Sequence, residues 1–244
     1  MKRILLISFL LMYGLTSYSQ SQLTYSNFYK SFITPTKWYK AKPFEFTTTG
    51  PNQIWNVVSF SNKRKAFINI IDSVINKYAL ARFNVIQPNL QSTHLGDYQK
   101  DYFLSDGKNI SIVGSTDDNL FSWVYTDSKK LLIFPVNYGD SYTDSFVSFT
   151  IKSTHDTVWQ RGVRSVKVDG FGKLITKKMK YEHVLRVVAE ERSSYFILGK
   201  EVSSDYTQDF TWYDTETGKI LMYSNKKSKN ANEQSSQYFL VSYY

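Results

Sequence analysis

Apolar and polar side chains alternate along much of this chain, and a period of two restricts a segment to a strand with its two faces in different surroundings. Val147, Phe149 and Ile151 share one face, with Ser148, Thr150 and Lys152 on the other. Phe121, Trp123 and Tyr125 alternate with Ser122, Val124 and Thr126. After the polar Asp127-Ser128-Lys129-Lys130 the chain returns through Leu131, Leu132, Ile133 and Phe134, a pattern that predicts a hairpin. Asp106-Gly107 lies between Tyr102-Phe103-Leu104 and Ile110-Ser111-Ile112-Val113, where an Asp-Gly pair suits a tight turn. Asp169-Gly170-Phe171-Gly172 separates Val166-Lys167-Val168 from Leu174-Ile175, and Thr217-Gly218 separates Phe210-Thr211-Trp212-Tyr213 from Ile220-Leu221-Met222. His183 to Val188, Tyr195 to Leu198 and Tyr238 to Tyr243 supply further strands. Strands recurring at hairpin distances predict an all-β fold, an antiparallel sandwich or a partly closed barrel.

One segment has a different period. Phe67, Ile70, Ile71, Val74, Ile75 and Tyr78 recur at helical spacing, with Ser61 or Asn62 as N-cap, so the local expectation is a short helix over Lys65 to Leu80. The β-branched isoleucines keep a competing expectation open, a strand through Phe67 to Ile71 followed by a helical turn from Asp72.

The first residues read as an address. Met1-Lys2-Arg3 precede an apolar run from Ile4 to Leu15, closed by Thr16-Ser17-Tyr18-Ser19-Gln20, which is the three-part order of a secretory signal with Ser17 and Ser19 before the cut. Such a run is shorter than the ~20 apolar residues that span a bilayer. A cut after Ser19 leaves residues 20–244 as a single β-rich domain, with no transmembrane segment, and lowers the net charge from +9 to +7. With 17 Phe, 19 Tyr and 5 Trp but no cysteine, the domain must hold together by packing alone, and it has the large rings to do so.

Four segments together resemble a group of secreted β-rich proteins of unknown function from bacteria with type IX secretion. They are Gly50-Pro51-Asn52-Gln53-Ile54-Trp55-Asn56-Val57, the run Leu131 to Asp144, the stretch Val168-Asp169-Gly170-Phe171-Gly172-Lys173-Leu174-Ile175-Thr176 leading into Tyr181-Glu182-His183-Val184-Leu185-Arg186-Val187, and Thr211-Trp212-Tyr213. The resemblance implies export. This chain departs from it in ending at Tyr244 without the C-terminal sorting domain that relatives often carry, so periplasmic, outer-membrane-associated and secreted residence all remain expectations.

No catalytic motif stands out. His94, His155 and His183 are too scattered for a histidine metal motif, and Asp117-Asp118 and Glu190-Glu191, adjacent along strands, would face opposite sides. Ser115-Thr116-Asp117-Asp118-Asn119 lacks the alternating acidic spacing of a calcium loop and reads as a polar turn. A Ser-His-Asp triad needs only spatial proximity, so enzymatic activity is left undecided, and no cofactor or metal is expected. The residues singled out for binding are Trp38, Trp123, Trp159 and Trp212, together with the basic clusters Lys63-Arg64-Lys65, Lys177-Lys178 with Lys180, and Lys226-Lys227 with Lys229 at the start of a lysine-rich loop running to Ser236. For an exported protein these basic clusters would meet glycan, lipid or another envelope component and not nucleic acid. The expected function is a non-catalytic binding or structural module of the envelope or extracellular space; the alternative is a periplasmic carrier enclosing an apolar ligand such as a lipid within a curved sheet.

Overall fold

The computed structural model describes residues 22–34, 36–41, 46, 48–57, 60–72, 86, 88–95, 100–117, 121–151, 157–176, 179–228 and 236–243. The segment expected to be a secretory signal lies outside them. They form one helix, α1 (Tyr25–Phe32), and strands β1 (Thr36–Ala41), β2 (Gly50–Val57), β3 (Phe60–Asp72), β4 (Leu90–Leu95), β5 (Lys100–Ser105), β6 (Asn109–Asp117), β7 (Phe121–Ile133), β8 (Ser141–Ile151), β9 (Thr157–Thr176), β10 (Lys180–Ile197), β11 (Lys200–Asp214), β12 (Ile220–Ser228) and β13 (Ser236–Tyr243).

All thirteen strands belong to one sheet, ordered β10-β11-β12-β13-β1-β3-β4-β5-β6-β7-β8-β9-β2, in which β9 also pairs with β10. The fold is therefore all-β, a curled antiparallel sheet of the partly closed barrel kind. Its one parallel pairing is that of β2 with the C-terminal half of β9, while β8 occupies the N-terminal half of the same edge.

Two apolar cores lie on opposite sides of the long strands, and a third, smaller cluster joins Tyr102, Val113 and Val124 of β5 to β7 with Leu104 and Phe149. Inside the curl, Leu90, Phe103, Ile110 and Leu132 of β4 to β7 meet Val166, Val168, Leu185, Val187, Ala189 and Tyr213 of β9 to β11. Outside it, Trp55 and Val57 of β2 pack with Phe46, Leu174, Val184, Trp212, Leu221 and Met222. Helix α1 closes one end of the inner core. Thr24 Oγ1 accepts the Asn27 N–H at 3.2 Å as the N-cap, and Phe28 packs its ring against Phe134 and Tyr213. Asn27 Nδ2 donates to the Thr215 carbonyl at 3.2 Å, and a side chain at Gly218 would run into the Asn27 backbone, so the helix sits directly on the β11–β12 turn.

The structure corrects five sequence expectations. Lys65 to Asp72 are strand, as in the competing reading of that segment, because β3 is paired on both sides by β1 and β4; residues 73–80 lie outside the description. Asp127 to Lys130 are not a turn but the middle of β7, where Lys129 reaches Glu191 and Lys130 reaches Asp144. Asp169 to Gly172 do not end a strand either. β9 runs straight through them, with Val187 opposite Val168 and Arg186 opposite Gly170, so that Asp169 forms a bulge. Ser115 to Asp117 belong to β6, and Lys226 to Ser228 belong to β12, whereas residues 118–120 and 229–235 lie outside the description. The turns at Gly107 and Gly218 stand as expected, each glycine holding positive φ.

Candidate functional site

The bulge at Asp169 reverses which side chains of β9 face inward. Up to Val168 the even-numbered residues point into the curl, whereas Gly170, Gly172 and Leu174 face outward beneath β2. Both glycines are required there. A Cβ on Gly170 would sit 2.8 Å from the Trp55 ring, and one on Gly172 would strike the Gln53 backbone.

On that outer side Arg186 is almost wholly buried, at 1% exposure. Its Nε donates to Asp169 Oδ1 at 2.7 Å, Nη2 to Asp169 Oδ2 at 2.9 Å, and Nη1 to the Phe46 carbonyl. The guanidinium lies 5.7 Å from the Trp55 ring centroid and 5.9 Å from that of Trp212. A two-pronged ion pair between two rings fixes a planar cation on every side. Three of the four segments that carried the family resemblance thus meet at one buried anchor: Trp55, the Asp169-Gly170-Phe171-Gly172 stretch with Arg186, and Trp212.

Arg186 spends three of its five N–H donors on the protein and is buried, so it serves the fold before any ligand. It instead holds the wall of an open groove of about 650 Å³ on the outer face of β8 to β11. The floor is two rows of residues in register across the four strands: Thr143, Ser165, Glu190 and Gln208, then Ser141, Lys167, Val188 and Phe210. Gln208 Nε2 donates to Glu190 Oε1 at 3.0 Å, Thr143 and Ser165 share a hydrogen bond at 3.3 Å, and Lys167 makes no ion pair among the described residues. Phe46 and Phe210, 4.8 Å between centroids, form the aromatic side.

The inner face of the same strands is charged. Lys129 Nζ lies 3.2 and 3.1 Å from the two Glu191 oxygens, and Arg164 Nη1 lies 3.4 Å from Glu191 and 3.3 Å from Asp209. Asp209 Oδ1 accepts from Tyr223 and Asn225. Burial works against the charge on Lys129, but Tyr125 and Glu191 beside it outweigh burial and hold the ammonium above the ordinary lysine value. Further along, Ser148, Gln160, Ser193, Tyr195 and Asp205 continue as one chain of hydrogen bonds, ending at Lys227. Two cations against two carboxylates balance the central group, which makes it a structural strut.

The tryptophans singled out from sequence do not converge. Trp38 is buried on β1, Trp212 is buried in the outer core, Trp123 packs edge-on against Tyr195, and Trp159 stands exposed on β9. The basic clusters are dispersed as well. Lys63 to Lys65 lie along β3, Lys180 pairs with Glu182, Lys226 is exposed on β12, and Lys177, Lys178 and Lys229 fall outside the described residues. His183 is half-buried, its Nε2 3.3 Å from Glu216; His155 lies outside the description, and no group of metal-ligating side chains occurs among the described residues. The groove residues were not foreseen; the signal that could have found them was alternation, because Ser165, Lys167, Val188, Glu190, Gln208 and Phe210 all occupy the outward positions of three neighbouring strands.

Comparison of this chain with family models, with curated proteins and with solved structures returned no match.

Proposed function

We propose that the protein is an exported, non-catalytic binding module of the cell envelope or extracellular space, and that its ligand lies in the groove over β8 to β11. The groove carries this reading: about 650 Å³ with hydroxyl, carboxylate, amide and ammonium groups in two cross-strand rows beside the Phe46 and Phe210 rings. That volume lies within the ~300–1,000 Å³ common for ligand sites. Polar groups at strand spacing next to a ring edge suit a hydroxyl-rich ligand, so a glycan is the ligand class favoured. Export rests on the first nineteen residues and the family resemblance, and the non-catalytic reading rests on the absence of a catalytic motif in the sequence.

A glycan array probed with the purified chain, combined with pull-downs from envelope extract, tests it. Binding should weaken at least ~10-fold in Lys167→Ala with Gln208→Ala, two solvent-facing changes that leave the thermal melt in place. An empty array with empty pull-downs, or binding that ignores both substitutions, sinks the proposal.

The curl of the sheet also supports the alternative, a periplasmic carrier of an apolar ligand. Against it stand the charged interior between β7 and β11 and the modest size of the apolar cleft beside Leu132, Val136, Val166, Val168 and Val187, about 190 Å³. Native mass spectrometry of protein purified from its own envelope separates the two: an enclosed lipid would establish the carrier.

A further inference from the structure

The sheet exposes apolar side chains toward the β10–β11 hairpin. There Ser148, Thr150, Gln160 and Ser193 are buried beside Phe146 and Val158, while Trp159, Val163 and Phe196 point outward together with Phe149, which packs against Tyr102, Val113 and Val124. Phe149, Trp159 and Phe196 stand side by side across β8, β9 and β10, with the Phe149 and Trp159 centroids 5.2 Å apart. Trp159 is 40% exposed, Val163 48%, Val202 55% and Leu198, at the hairpin tip, 91%. Exposed apolar side chains gathered into a rim at one end of a sheet mark a surface that meets another apolar surface and not water.

The tip sharpens the point. Leu198 and Gly199 form a two-residue turn with φ of 49° and 76°, a turn that favours Asn-Gly. A leucine is unfavourable there twice over, once for its backbone and once for its exposure. Basic residues flank the rim. Arg161 lies 5.3 Å from the Phe196 ring at the mouth of an apolar cleft of about 610 Å³, Arg192 lies over Tyr206, and Lys200 follows the turn, against the carboxylates of Glu190 beside Tyr206 and Glu201 after Lys200.

We propose that this end of the sheet docks on an anionic lipid surface, with Leu198 deepest, the Trp159 and Phe196 rings at headgroup level, and Arg161, Arg192 and Lys200 against lipid phosphates. Aromatic rings with basic residues behind them match the layering of a membrane interface. Four residues of strand separate Trp159 from Val163, about 13 Å, so the apolar rim is deep enough to enter the interface and too short to cross a bilayer. This surface is distinct from the groove, which lies farther along the same strands.

Flotation of the purified chain with phosphatidylcholine vesicles, with and without phosphatidylglycerol, tests the proposal. The chain should float with the anionic vesicles and much less with the neutral ones. L198D combined with V202D, both exposed, should keep the parent melting temperature and lose at least ~10-fold in vesicle affinity. R161Q should lose about fivefold. No flotation, equal flotation with both vesicle types, flotation indifferent to L198D/V202D, or capture of a soluble polysaccharide by this patch without vesicle binding would each overturn it.

Discussion

The two ends of the long β8–β11 sheet obey opposite rules. Toward α1 the inner face is apolar, with Phe28, Val168, Leu185 and Tyr213 packed together, and the outer face carries the Trp55 and Trp212 core and, beyond it, the polar rows of the groove. Toward the β10–β11 hairpin the inner face sets Lys129, Arg164, Glu191 and Gln160 among the Tyr125 and Phe146 rings, and Trp159 with Phe196 lies outside. The same strands make both ends, so strand propensity cannot account for the difference. What differs is what fills the curl: a helix and its rings at one end, a balanced ion network at the other. The apolar end derives its stability from area removed from water, roughly 25 cal/mol per Å². The charged end holds because each buried ion has its partner, and it is correspondingly intolerant of losing one.

Alkali should bring the largest change, because it acts on both ends together. Burial pushes the phenols of Tyr125, Tyr142 and Tyr213 above the ordinary tyrosine value. Below pH ~10 folded and unfolded chains hold these protons alike; above it the unfolded chain releases them first, so stability should fall by roughly 1.4 kcal/mol per pH unit for each of the three. Thermal melts from pH 7 to 11 should show a flat midpoint that drops steeply at the alkaline limit. Next comes Glu191→Gln, which strands Lys129 and Arg164 with too little negative charge. A loss of about 3–5 kcal/mol in urea unfolding is expected, whereas replacing Lys129, Arg164 and Glu191 together by apolar residues should lose far less. At the opposite end Leu185→Ala should cost about 3 kcal/mol by opening a cavity in the inner core. Smallest of all, Val163→Ser on the outer rim should move stability by no more than about 0.5 kcal/mol. If Val163→Ser proved as damaging as Leu185→Ala, the rim would be a packed core face, and the inversion would disappear.

The all-β class was legible because alternation and the turn glycines at Gly107 and Gly218 are local signals, and local signals survive tertiary context. The inversion was not. Alternation tells that Ser148 and Phe149 face opposite ways, but only the curl decides which of them is inside. For the same reason Asp127 to Lys130 looked like a turn: four polar residues pass through a strand only if the interior offers Glu191 and Asp144 to receive the lysines. Helix α1 did leave a readable trace, since Tyr25, Phe28, Tyr29 and Phe32 follow Thr24 at helical spacing, but eight residues is a short window beside the stronger apolar run that opens the chain. At the buried anchor, Trp55, Asp169, Gly170, Arg186 and Trp212 were visible as motifs, while the contacts that join them span too much sequence to be inferred from spacing. The groove was missed because each of its four strands contributes only two unremarkable residues to the floor.

That long span sets an order of events in time. Asn27 meets Thr215 across 188 positions, and Phe46 meets Arg186 across 140. The stretch from Leu23 to Val57 is made early; α1 meets Phe103 and Ser105 in the first half of the chain, but Phe134 and Thr215 against it, Arg186 at Phe46 and the β9 partner of β2 are all made in the second half. Contacts this distant slow folding, because the intervening chain must be closed into a loop before they form. The N-terminal stretch therefore acts as a latch: α1 and β2 cannot seat fully until β9 to β12 exist, and once seated on the β11–β12 turn and along β9 they are tied to the last-formed half of the sheet.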